Sequence, residues 1–165
     1  MNTKNTRAEK ITFSAMMIAV AVCISALCAA MPFLNLPFGG GFTIASMLPI
    51  IVVAYTYGVR WGLLTGFIYS FAQMLLGFNT VSAFFLPGDS QMLWHRAILV
   101  CLIDYVVAYT VLGFGGIFRK KLGKAQALCL GSIVALLLRY IAHIVSGAIF
   151  FREALGKLFF FKQFK

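Results

Sequence analysis

"ITFSAMMIAVAVCISALCAAM", residues Ile11 to Met31, is predominantly apolar and carries no charge. A helix needs about 20 such residues to cross the hydrocarbon layer of a bilayer, and this run supplies them. The basic start at Lys4, Arg7 and Lys10 gives it the look of a secretory leader. Leader cores are shorter, about 7–15 residues, so the run reads as a retained membrane helix. The rest of the chain agrees. Of 165 residues, 62% are hydrophobic and 11% charged, and the mean hydropathy is +0.96. A water-soluble domain of this length could not hide so much apolar surface.

Working outward, "PFLNLPFGGGFT" (32–43) is a loop by its prolines and glycines. Further spans are expected at about Ala45–Tyr57, Trp61–Leu76, Leu93–Phe118 and Ala125–Phe151. Pro49 falls early in the second span, where it is tolerated. Gly58, Gly62 and Gly66 recur every four residues and give the third span a face that permits close helix contact. Residues 77 to about 91 read as loop. The expected fold is an all-α integral membrane protein with five transmembrane helices.

Charge orients the bundle. Lys and Arg number 14 against 4 Asp and Glu, for a net charge of +10. With the N-terminus cytoplasmic, Lys4, Arg7, Lys10, Arg60, Arg119, Lys120, Lys121 and Lys124 all fall inside. Basic residues between apolar spans speak to topology, and no nucleic-acid partner is expected. The last segment, "REALGKLFFFKQFK" (152–165), is too short and too charged to span. Five passes would put its Arg152, Lys157, Lys162 and Lys165 outside, against the bias elsewhere. The tail is therefore expected either to lie in the interface or to replace a lost sixth helix.

Enzymatic readings find little support. There is no GxxxxGK[ST] phosphate loop, no HExxH and no GxSxG. Cys23, Cys28, Cys101 and Cys129 sit in apolar runs without a CxxC pair, so neither a disulfide framework nor a metal site is expected.

The informative residues are the ionisable ones inside the spans, where burial is costly. They are Asp104 in "LIDYVVAY", and Arg139 and His143 in "LLLRYIAHIVSGAIFF". Asp104 and Arg139 could form a structural pair between the last two spans. Alternatively Asp104 and His143 face a ligand, with Arg139 nearer an outer wall. The spacing of four puts Arg139 and His143 on one helix face. A carboxylate amid Tyr105, Tyr109, Tyr140, Phe150 and Phe151 suits a small cationic heteroaromatic better than an anion or a lipid. In the first span Ala15 and Ala19, with Ala26 and Ala30, form a small-residue face. It could pack within the chain or against another membrane protein.

Three blocks carry a resemblance. They are "GGGFTIASMLPIIVVAYTYGVRWGLLTGFIYSFAQMLLG", "LIDYVVAYTVLGFGGIF" and "LLRYIAHIVSGAIFF". Over residues 10 to 151 the chain resembles the thiamine-specific substrate-binding subunits of energy-coupling factor transporters. The resemblance implies a six-helix membrane subunit in the plasma membrane, without enzymatic activity or cofactor. It would bind thiamine near the outer face and work with a transmembrane coupling subunit and two cytoplasmic ATPases. By the same resemblance Asp104, Tyr105, His143 and Phe151 contact thiamine, while Ala15 and Ala19 dock the coupling subunit. Asp104 stands where many relatives have Glu, and Phe151 where relatives often have Trp. Phe38 and Phe42 are candidates for a loop contact, and Arg139 is expected to be structural. Residues 1–151 would form the vitamin-binding domain, with 152–165 a divergent or truncated tail. Two other readings stand beside this one. One is a self-sufficient proton-coupled carrier using Asp104 and His143 as a relay, although no inverted repeat is evident. The other is a remnant that binds nothing.

Overall fold

A computed structural model describes residues 7–30, 44–85 and 93–163; side chains beyond Ile149 fall outside the description. Among these residues all regular structure is helical. Helix α1 is Arg7–Ala30, α2 Ile44–Tyr57, α3 Val59–Leu76 and α4 Phe78–Phe85. The fourth pass, Trp94–Gly116, is composite. It begins as α5 (Trp94–Cys101), widens into a π-helix (Leu102–Val107), returns briefly as α6 (Ala108–Thr110), and tightens into a 3₁₀ segment (Val111–Gly116). Helix α7 runs Lys124–Gln163.

A helix occupies each of the five expected ranges. Arg7–Ala30, Trp94–Gly116 and Lys124–Ile149 are long and apolar enough to cross a membrane, and Ala45–Tyr57 is a shorter apolar helix. Two differences from the sequence reading stand out. Residues 78–85, read as loop, form α4, a short helix that follows α3 across Gly77. Residues 152–163, read as a separate tail, continue α7 without a break.

The bundle's interior and exterior are assigned as a lipid solvent requires. Its lipid-facing surface is large and apolar: Met16, Leu27, Leu64, Phe71, Leu75 and Ile141 are all exposed. Its interior holds polar side chains, among them Ser14, Ser25, Ser46, Thr65, Ser70 and Gln73. With tails as apolar as any side chain, helices gain by close packing and interhelical hydrogen bonds. Both occur here. Trp61 Nε1 donates to Ser14 Oγ at 2.8 Å, tying α3 to α1. Gln73 Nε2 donates to Ser25 Oγ at 2.6 Å and to the Tyr69 hydroxyl. Tyr69 Oη in turn lies 3.1 Å from Ser25 Oγ. The core cluster around these groups includes Ala21, Met47, Ile50, Ile51, Leu112 and Ala135.

Close packing depends on glycine. A methyl at Gly62 would overlap Ala54 of α2, one at Gly113 the backbone of Leu63, one at Gly116 the Ala54 carbonyl, and one at Gly131 the Gly115 carbonyl. The glycine ladder expected on α3 is therefore a contact face. These contacts join α2, α3, the 3₁₀ segment and α7 at one end of the bundle. Lys10 lies over the Tyr57 ring at that end, 5.9 Å from its centroid, and Phe13 meets Tyr57 edge-on at 5.6 Å. Arg60 and Arg119 to Lys121 sit there too, so the positive-inside rule makes it the cytoplasmic end.

Candidate functional site

Asp104 and His143 meet. His143 Nδ1 and Asp104 Oδ1 are hydrogen-bonded, the imidazole N–H donating to the carboxylate. Both side chains are about one third exposed (36% for His143, 31% for Asp104), so the pair is neither sealed in the core nor open on the surface. The bond engages one oxygen and one nitrogen.

Local structure explains the placement. Asp104 and Tyr105 lie within the π-helix, where each turn holds an extra residue. Such single-turn widenings re-aim side chains relative to the helix on either side, and they recur at functional sites. Here the widened turn carries the acid toward α7. On α7, Ala135, Arg139, Ala142 and Ser146 form the buried stripe, and half-buried His143 stands at its edge. Tyr105 reaches α3, and its hydroxyl end occupies the space a Cβ at Gly77 would need. Gly77 follows the C-terminus of α3, while the basic cluster gathers at the N-terminus of α3. The Asp104–Tyr105–His143 group therefore sits toward the outer end.

The expected alternative, Asp104 paired with Arg139, does not form. Arg139 is buried, and its guanidinium carbon lies 4.0 Å from the Tyr109 ring centroid. Arg139 Nη1 has no hydrogen-bond partner among the described residues. The Tyr109 hydroxyl donates to Gln73 Oε1 at 3.4 Å. Arg139 thus caps one end of a buried polar chain that continues through Tyr109 and Gln73 to Ser25 and Tyr69. Sequence reasoning named Tyr109 only as a flanking aromatic and did not find Gln73 or Tyr69. Their spacing of four, pointing inward from α3, was the available signal.

The other expected residues divide. Tyr140 is exposed and turned away from the site. Phe151 lies on α7 eight residues past His143, but its side chain is outside the described set, as are Phe38, Phe42 and Phe150. Ala15 and Ala19 are exposed on α1, turned away from the buried stripe of Ser14, Ala21 and Ser25. A cavity of about 340 Å³ lies on the far side of the π-helix, between Phe67, Phe71, Met74, Cys101, Leu102 and Val106. Its lining is apolar and includes no charged side chain to answer a cation.

Comparison with known proteins converges on one family. Residues 11–155 match the family model described as "Thiamine transporter protein (Thia_YuaJ)". The chain is 32% identical over 133 residues to "Thiamine transporter ThiT" of Bacillus subtilis (strain 168). That alignment covers 72% of this chain and 59% of the relative, so the chain spans less than two thirds of the relative's length. No solved structure matches it. With the family model covering most of its length and every apolar pass before the last turns of α7, the chain belongs to the thiamine transporter protein family.

Proposed function

We propose that this protein binds thiamine at the outer end of the bundle and serves its uptake across the plasma membrane, as a transporter subunit and not an enzyme. The observation that carries this reading is the Asp104–His143 pair with Tyr105 beside it, half-buried between the π-helix and α7. A thiazolium cation is stabilised by a carboxylate and by aromatic faces. An aminopyrimidine offers N–H donors to a carboxylate oxygen and a flat ring to stack. Asp104 supplies the charge, Tyr105 the ring, and His143 both holds the acid and presents Nε2. Phe151 is assigned a stacking role.

Energy coupling is assigned to partners: a transmembrane coupling subunit docking on Ala15 and Ala19, and two cytoplasmic ATPases. The exposure of both alanines on α1 supports this, since small side chains let a partner helix approach closely.

A second reading has one observation in its favour. A directly bonded acid and imidazole could also relay protons in a self-sufficient carrier. The two readings separate cleanly. Thiamine is titrated into the purified chain by calorimetry, alongside quenching of Trp61 and Trp94. The chain alone is then tested for uptake in proteoliposomes under a proton gradient. Saturable binding without transport supports the subunit; gradient-driven transport by the chain alone supports the carrier. Absence of binding by a monodisperse sample would remove the thiamine assignment.

A further inference from the structure

The Asp104 site leaves unexplained a second concavity at the opposite end. A pocket of about 480 Å³ opens between the α2–α3 turn (57–60) and the turn after the 3₁₀ segment (116–121). Four cations line it: Arg60, Arg119, Lys120 and Lys121. None of its lining residues is acidic, and none of the four cations has a carboxylate partner among the described residues. Like charges gathered without counterions are unfavourable unless an anion or bulk water answers them.

The pocket is more than a row of solvated charges. Gly58 has φ 101°, a conformation that side-chain-bearing residues rarely adopt. A Cβ there would lie 2.7 Å from Arg119 Nη1, so glycine lets the guanidinium lie against the start of α3. Gly58 also brings no capping side chain, leaving the first-turn N–H groups of α3 without a side-chain acceptor. Guanidinium, ammonium and uncapped helix N–H groups are the donors that phosphate oxygens accept from.

The rim identifies the kind of phosphate. Ile117 lines the pocket and is 47% exposed, joining it to the apolar surface that faces lipid tails. A free phosphate has no use for that side. A phospholipid does: its headgroup can sit among the cations while its chains run along the bundle. We propose that this pocket seats the headgroup of an anionic phospholipid of the cytoplasmic leaflet.

The test uses the full chain, extracted with equimolar phosphatidylglycerol and phosphatidylcholine, with retained lipid counted by native mass spectrometry. Phosphatidylglycerol should be retained in preference. Arg60→Gln with Arg119→Gln should cut that preference about thirtyfold, at about fivefold per cation. Lys124→Gln, at the same end but outside the pocket, should leave it unchanged. Should the double variant fail to fold, exposed Lys120 and Lys121 changed to Gln provide the same readout without disturbing Gly58. Equal retention of both lipids would overturn the proposal. So would an equal loss in Lys124→Gln, which would mean diffuse charge, or displacement by excess inorganic phosphate, which would mean a free-anion site. Loss of uptake in the double variant without any lipid preference would place the surface in a protein contact instead.

Discussion

At the scale of single residues, the decisive contact is the bond between His143 and Asp104. Asp104→Asn keeps the shape and removes the charge. It should weaken thiamine binding by about 1–3 kcal/mol, the cost of losing a charge-assisted partner. Calorimetry on the folded variant measures this, and unchanged affinity would take Asp104 out of the site. Arg139 makes a contrasting case. Its guanidinium stacks on Tyr109, yet Nη1 finds no acceptor among the described residues. Burying such a charge is often no better than burying an apolar chain of similar volume. Arg139→Met should therefore leave the melting temperature in detergent unchanged or raised. A clear fall would show that the cation–π contact outweighs desolvation. Both residues were legible in the sequence, because an ionisable group in an apolar run is conspicuous. Which of Arg139 and His143 meets Asp104 was not. Four residues apart, they share a face, and the choice turns on a rotation of the facing helix that no residue type announces. Gln73 and Tyr69 escaped for the opposite reason: neutral polar groups barely disturb a hydropathy pattern.

At the scale of elements, the long passes were legible from apolar length alone, since lipid leaves the backbone few alternatives to a helix. Helix α4 was missed because "FNTVSAFF" is short and neighbours a proline- and glycine-bearing stretch. The π-helix was missed because its cause is one surplus residue in a continuous run, and LIDYVV reads like any apolar helix. Its importance can be tested directly. Deleting exposed Val107 should let the turn close to ordinary α-helical hydrogen bonding. Residues before the deletion would then rotate by about 100° relative to those after it, one residue's share of a helical turn. Circular dichroism should keep its helical signal while thiamine binding is lost. Retained binding would show that the widened turn does not aim Asp104.

At the scale of the whole molecule, the outer and cytoplasmic ends hold separate chemistries, and α1 carries a third surface on its lipid side. Ala15→Trp with Ala19→Trp should leave thiamine binding intact while abolishing uptake in cells, because bulk on that exposed stripe blocks close helix approach. Continued co-purification of the variant with a coupling subunit would refute the docking assignment. The glycine contacts bear on motion as well as packing. At Gly62, Gly113, Gly116 and Gly131 a methyl would meet neighbouring backbone or Ala54, and all four belong to the basic end; toward the other end a Cβ at Gly77 would meet only the tip of the Tyr105 side chain, and one at Gly147 nothing within 4 Å. The helices are thus like the ribs of a fan held by one rivet. Amide exchange should be slow around the rivet and faster toward the rib tips. Breathing wide enough to admit a vitamin can then open the outer leaflet side while the bundle's cross-section in the inner leaflet stays constant, so the membrane's permeability barrier survives each exchange.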